Sequence, residues 1–211
     1  MKIALVQMTS GHDIGDNLAC VDSCIRTAAS HGAAFIATPE NSDFIIDGKD
    51  KKLAMASDEA SHPFLHRLCQ TAKEVGVTIL LGSIAVKVAA DKVANRSYLI
   101  RPDGTIAARY DKIHLFDVDL PTGESRRESE MVAGGHAAVT VPTEFATLGL
   151  TICYEVRFPH LYRTLAKAGA TILMVPSAFT VPTGEMHWHV LLRARAIENG
   201  AFVIAPAHCG T

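Results

Sequence analysis

The sequence predicts an α/β protein with a largely parallel core, and three observations predict it. Short apolar, β-branched runs alternate with segments of helical periodicity. The alternation is interrupted once, near the middle, by a hairpin signal. A chain of 211 residues that is 48% hydrophobic and 20% charged is long enough to bury one substantial core.

The elements follow in order. KIALVQM (2–8) and AAFIATPE (33–40) read as strands. Between them Leu18, Val21, Ile25, Ala28 and Ala29 recur at helical spacing, after Asp16 or Asn17 as cap and before Gly32 as stop. A second helix starts at Pro63, buries Phe64, Leu65, Leu68, Ala72 and Val75, and ends at Gly76. The strand VTILLGSIAVKV (77–88) follows, then a hairpin over 96–112 that turns at Pro102-Asp103-Gly104. Periodicity vanishes over 113–136, and a loop of that length in a compact domain points to function or disorder. Order returns with strands at 137–141 and 146–153, a helix over 159–168 and a strand at 170–178. A helix over 185–199 stops at Gly200, and a strand follows at 201–207.

Bulk properties exclude several functions. The net charge of -2 and scattered Lys and Arg give no footprint for nucleic acid. The longest apolar stretch, VTILLGSIAV, is about half of a membrane span of ~20 residues. The N-terminal segment lacks the pattern of a secretory signal, and five cysteines do not form a disulfide framework, so a cytoplasmic protein is expected.

Ligands in such sheets gather at the carboxyl ends of strands. Glu40, Cys153 and Ser177 fall there, and Lys112 lies just past the hairpin. Cys20, Cys24 and Cys69 read as helix-packing residues, and no further Cys or His completes a metal set around them. For Cys153, nucleophile and buried small hydrophobe stay equally open. A thiol where a strand gives way to a helix would sit among N–H groups that favour thiolate. Glu155 is expected to pair with Arg157, and His160, His187 and His189 are bases of lower rank. Glu40 is the better base, with desolvation expected to raise its pKa toward neutrality; the alternative is an exposed strand-end acid. Lys112 would supply a fixed positive charge or else be solvated beside Asp111.

Four segments in this order, TPEN (38–41), YDKIHLFD (110–117), GLTICYEVRFP (149–159) and HWHVLLRARAIEN (187–199), resemble the nitrilase superfamily of carbon–nitrogen hydrolases. The similarity runs from the first strand to the last residue. It implies a four-layer αββα sandwich of mixed sheets, one domain over 1–211, a homodimer or higher homo-oligomer, and no metal or organic cofactor. By the same resemblance Glu40 is the general base, Lys112 the lysine and Cys153 the nucleophile of a Glu–Lys–Cys triad. A second glutamate is best placed at Glu128 in ESEMVAGG, with Glu130 as the alternative. The Tyr154 amide would hold the oxyanion.

TPENSDFI, PSAFTVPTGEMHW and LLRARAIENGAFVIAPAHCG look closest to amidases acting on deaminated glutathione, with ω-amidases nearby. A small amide carrying a carboxylate is therefore the expected substrate, with Arg157 and Ser177 as candidate contacts. Nitrile hydrolysis, acyl transfer from the same thioester, and a catalytically silent dimerising module are the alternatives. Members of the superfamily usually continue beyond AHCGT with further strands, so the C-terminal strands are expected to be missing or truncated here.

Overall fold

The computed structural model describes residues 1–119, 123 and 125–210. Thr211 and positions 120–122 and 124 of the expected loop lie outside the described residues. Two sheets stack face to face with helices on both outer sides, which is the four-layer αββα arrangement.

The first sheet has the order β1 (Ile3–Leu5), β2 (Phe35–Ala37), β3 (Thr78–Ala89), β4 (Lys92–Ile100), β5 (Ile106–Asp111). Its first three strands are parallel and its last three antiparallel. The second sheet runs β8 (Val139–Pro142), β9 (Thr147–Leu150), β10 (Ile172–Met174), β11 (Phe202–Ile204), with β8 antiparallel to three parallel neighbours. A hairpin of β6 (Asp117–Asp119) and β7 (Ser125–Arg127) stands apart.

Alternation of side chains along each strand builds the layers. Phe35 and Ala37 point between the sheets, where they join Leu80 and Leu99 against Leu148, Leu150 and Met174 of the facing sheet. Ile36, Ile79 and Leu81 point the other way, onto α1 (Ile14–Ser30) and α3 (Pro63–Val75), which supply Val21, Ile25, Phe64 and Leu68. On the far side Leu173 and Val203 meet α4 (Pro159–Lys167) and α5 (Val181–Asn199) through Leu161, Leu165, Leu191 and Leu192. Each of these side chains that is fully buried contributes about 1.5–3 kcal/mol of transfer free energy, and the half-buried Leu191, Leu192 and Val203 less.

Several boundaries move. Asp13, rather than Asp16 or Asn17, caps α1 by accepting from the Asp16 N–H at 2.9 Å. Asn17 is turned inward instead, bonded to Gly11 and to the Asp43 carbonyl. A short helix, α2 (Lys49–Met55), precedes α3 without a strong apolar face to announce it. The segment expected to be irregular holds the β6–β7 hairpin and a 3₁₀ turn at Glu128–Glu130. α5 begins at Val181. Among the described residues no helix is long and apolar enough to cross a membrane.

One glycine decides how closely the strand ends approach. A Cβ at Gly82 of β3 would lie 2.0 Å from the Thr38 carbonyl oxygen, 2.4 Å from that of Pro39 and 2.6 Å from Pro176 Cβ. The missing side chain lets the extension of β2 and the segment after β10 close over the same point. We expect Gly82→Ala to lower stability in urea unfolding by about 1–3 kcal/mol or more through overpacking. Gly11→Ala, where nothing lies within 4 Å, serves as the near-neutral control.

Candidate active site

The carboxyl ends of β2, β9 and β10 converge on one cavity of about 410 Å³. Glu40 lies three residues past β2, on backbone held by hydrogen bonds from Thr38 N–H to Leu80 O and from Asn41 N–H to Ser83 Oγ. Lys112 follows β5 directly, and its N–H donates to Asn95 O at 3.0 Å. Next to it Arg96 grips both carboxylate oxygens of Asp111 at 2.6 and 2.9 Å, which fixes the β4–β5 register at the lysine. Cys153 opens a 3₁₀ turn, Cys153–Arg157, with φ of 51°. That left-handed conformation is uncommon for a residue bearing a Cβ and costs about 1–3 kcal/mol. It swings the thiol out of the strand direction and into the cavity.

All three side chains are buried: Glu40 is 3%, Lys112 2% and Cys153 7% exposed. Lys112 Nζ lies 2.8 Å from Glu40 Oε1 and 3.0 Å from Glu128 Oε2. Asn95 Nδ2 donates to Glu40 Oε1 at 3.0 Å and to Glu128 Oε1 at 3.2 Å. The Ala178 N–H donates to Glu40 Oε2 at 2.9 Å. Glu40, Lys112 and Cys153 line the same cavity, close enough that Glu40 and Cys153 influence one another's protonation.

Electrostatics set the protons. Burial pushes the Glu40 carboxyl up, but the Lys112 charge, the thiol and the Ala178 N–H together outweigh it and hold Glu40 below the usual carboxylate range. Burial alone would lower Lys112; Glu40, Glu128 and Cys153 hold it well above its ordinary value instead. Burial, followed by the Glu40 charge, drives the Cys153 thiol well above its ordinary value, with Lys112 opposing. These directions correct two expectations. The base is ionised more readily than a free glutamate, and the resting sulfur is a thiol rather than a thiolate.

Glu128, not Glu130, joins the cluster; it also accepts from the Phe116 N–H at 2.6 Å, while Glu130 is exposed. The Cys153 N–H is occupied by Pro176 O at 2.9 Å. The Tyr154 N–H stands at the start of the 3₁₀ turn, where no intrahelical acceptor exists, and Tyr154 lines the cavity.

Arg157 lines the cavity too, its guanidinium over the rings of Tyr154 and Phe179 and 3.3 Å from His187 Nδ1. It does not pair with Glu155, contrary to expectation. The turn carries Glu155 inward, where it is 0% exposed and accepts from Tyr110 Oη (2.7 Å), Ile152 N (2.8 Å), Ile113 N (2.9 Å) and His114 N (3.1 Å). Glu155 thereby ties the cysteine turn to the segment just after Lys112.

Ser177 is likewise corrected. It is fully buried, its hydroxyl donates to Val175 O, and it is not among the cavity-lining residues; its neighbour Ala178 carries the useful N–H. His160, His187 and His189 do not line the cavity either. Asn95 and the Ala178 N–H were missed. An asparagine inside the strand LysValAlaAsnArgSer is a signal, since strands are poor in Asn, whereas a backbone N–H leaves none.

Replacing Glu155 by Gln would turn an NH₂ group toward donors that need an acceptor. We expect Glu155→Gln to lower stability by about 1–3 kcal/mol or more in chemical denaturation. Because it joins two parts of the site, activity should fall with it.

Comparison with known proteins establishes the family and the fold. The family profile described as Carbon-nitrogen hydrolase matches residues 2–211. The chain is 44% identical over 212 aligned positions to a protein of Synechocystis sp. PCC 6803 named deaminated glutathione amidase, covering 98% of this chain and 77% of that one. Its fold is similar to that of the C. elegans NitFhit protein, with a TM-score of 0.91 at 36% identity, over 99% of this chain and 51% of that one. It also matches a mutant of the amidase from Nesterenkonia sp. AN1, solved with acrylamide added at its active-site cysteine, with a TM-score of 0.85 at 25% identity, over all of this chain and 79% of that one. On the profile, the identity and the shared fold together, this chain belongs to the carbon–nitrogen hydrolase family of the nitrilase superfamily.

Proposed function

We propose that the protein hydrolyses the amide of a small, carboxylate-bearing compound through a thioester on Cys153, releasing ammonia. The observation that carries this reading is the convergence of the buried Cys153, Glu40 and Lys112 on one cavity, with the Glu40 carboxylate paired to Lys112 at 2.8 Å.

The steps follow from that arrangement. Glu40 takes the thiol proton as the sulfur adds to the amide carbonyl carbon. The Lys112 ammonium and the Tyr154 N–H stabilise the oxygen that becomes negative, at a buried position where a fixed charge counts for more than it does in bulk water. Glu40 returns its proton to the amine nitrogen, the carbon–nitrogen bond breaks, and ammonia leaves. Glu40 then takes a proton from a water oriented by Glu128; hydroxide adds to the thioester, and the acid departs as the sulfur regains a proton. The proton moves within a cluster whose total charge does not change, so no isolated charge is created in the interior.

The rim supports the substrate class. Lys52, Arg126, Arg127 and Arg157 line the cavity against Asp47 as the acid of the rim. Arg126 meets Asp47 at 3.0 Å, and Arg157 faces the cavity from its aromatic seat. Ile45, Ile46, Phe116 and Phe179 supply apolar wall for a short carbon skeleton. The name carried by the Synechocystis relative supports deaminated glutathione as the first compound to assay, with ω-amides of dicarboxylic acids beside it.

Cys153→Ala is expected to reduce ammonia release from these amides to background in a coupled assay; unchanged release would remove the thioester route. The pH profile gives a second test. A carboxylate held below its ordinary 4.5 protonates only below that value, and thiol and ammonium groups held above 9.0 and 10.5 lose protons only above those. Accordingly kcat/KM should be flat between about pH 5 and pH 9. A limb near neutrality would mean that another group controls the rate.

A further inference from the structure

Asn95 is 2% exposed in the middle of β4. Its side-chain Nδ2 donates to one oxygen of Glu40 and to one oxygen of Glu128. Its other polar atom, Oδ1, is buried with no hydrogen-bond partner among the described residues. A buried acceptor left unpaired is a cost to the fold. Half of this amide is therefore unfavourable where it sits, and the other half is spent entirely on the two carboxylates. An apolar side chain of the same size would remove the unpaired acceptor, so stability alone does not account for the asparagine.

The electrostatic need is visible in the same place. Glu40 and Glu128 share one cation, Lys112 Nζ, at 2.8 and 3.0 Å. Two carboxylates so close to one ammonium repel each other, and such pairs tend to retain a proton on one member. A neutral donor placed between them offsets that tendency without adding a charge.

We propose that Asn95 is a positioning residue for the hydrolytic reaction: by donating to both carboxylates at once it holds Glu40 ready to take the thiol proton and Glu128 where it orients water. Its backbone serves the same cluster, because Asn95 O receives the Lys112 N–H. This inference rests on the roles given to Glu40 and Glu128 above, so the experiment must not depend on the amide substrate.

The test is the pH dependence of Cys153 alkylation by iodoacetamide, followed by intact mass, in the native protein, Asn95→Leu and Asn95→Ala. Thiol reactivity reports whether Glu40 is free to accept the proton, whatever the substrate. Asn95→Leu keeps the bulk and removes both the donor and the unpaired acceptor; Asn95→Ala covers the case in which leucine does not fold. The acid limb of alkylation is expected to rise by about one pH unit in the folded variant. The acid limb of ammonia release should move with it. If either folded variant alkylates with the native pH dependence, Asn95 acts only in packing and the proposal is overturned, even if turnover has fallen. A displaced alkylation limb in a protein that releases no ammonia would support the role of Asn95 while removing the amidase reading.

Discussion

Lys112 is an ammonium group buried with two carboxylates, and the rest of the site is arranged around the cost of keeping it there. Removing a charge of either sign from water costs several kcal/mol after relaxation, and only close partners with good geometry offset it. Glu40 and Glu128 meet that requirement at 2.8 and 3.0 Å. The consequence for chemistry is direct. With Lys112 charged, Glu40 stays ionised in a place where burial alone would protonate it, and an ionised Glu40 against the thiol keeps the sulfur neutral until a substrate carbonyl arrives.

The fold supplies this geometry from distant parts of the chain. Two parallel strand extensions carry Glu40 and Ala178, an antiparallel hairpin carries Asn95 and Lys112, and a strained turn carries Cys153. The close approach at Gly82 and the four donors gathered on Glu155 hold those pieces in register. Strain at Cys153 is sustained because the turn around it is fixed on both sides. The Cys153 N–H is anchored to Pro176 O, and Glu155 is anchored beneath the segment after Lys112.

Much of this was legible in the sequence. Apolar periodicity located the helices and the main strands, since burial on one face is what both elements need. Glu40, Lys112, Cys153 and Ser177 all fall where an apolar strand ends, and it was the resemblance, not this placement, that singled out the first three. What local sequence did not reveal was direction. Nothing in CysTyrGluValArg says that a left-handed residue will turn Glu155 into the core and leave Arg157 facing the cavity. The sign of the shift at Glu40 was equally hidden, because it depends on a lysine 72 positions away. Glu128 was distinguished from Glu130 by resemblance, and the distinction has a physical basis only in three dimensions, where Glu128 meets both Lys112 and the Phe116 N–H.

The central claim is that the resting site holds an ionised glutamate and a neutral thiol. Thiolate ultraviolet absorbance, taken as the difference between the native protein and Cys153→Ser at neutral pH, measures it directly. The account predicts no thiolate signal attributable to Cys153. A difference equal to one thiolate would contradict it, because the proton would then already reside on the carboxylate and Glu40 could not serve as the base.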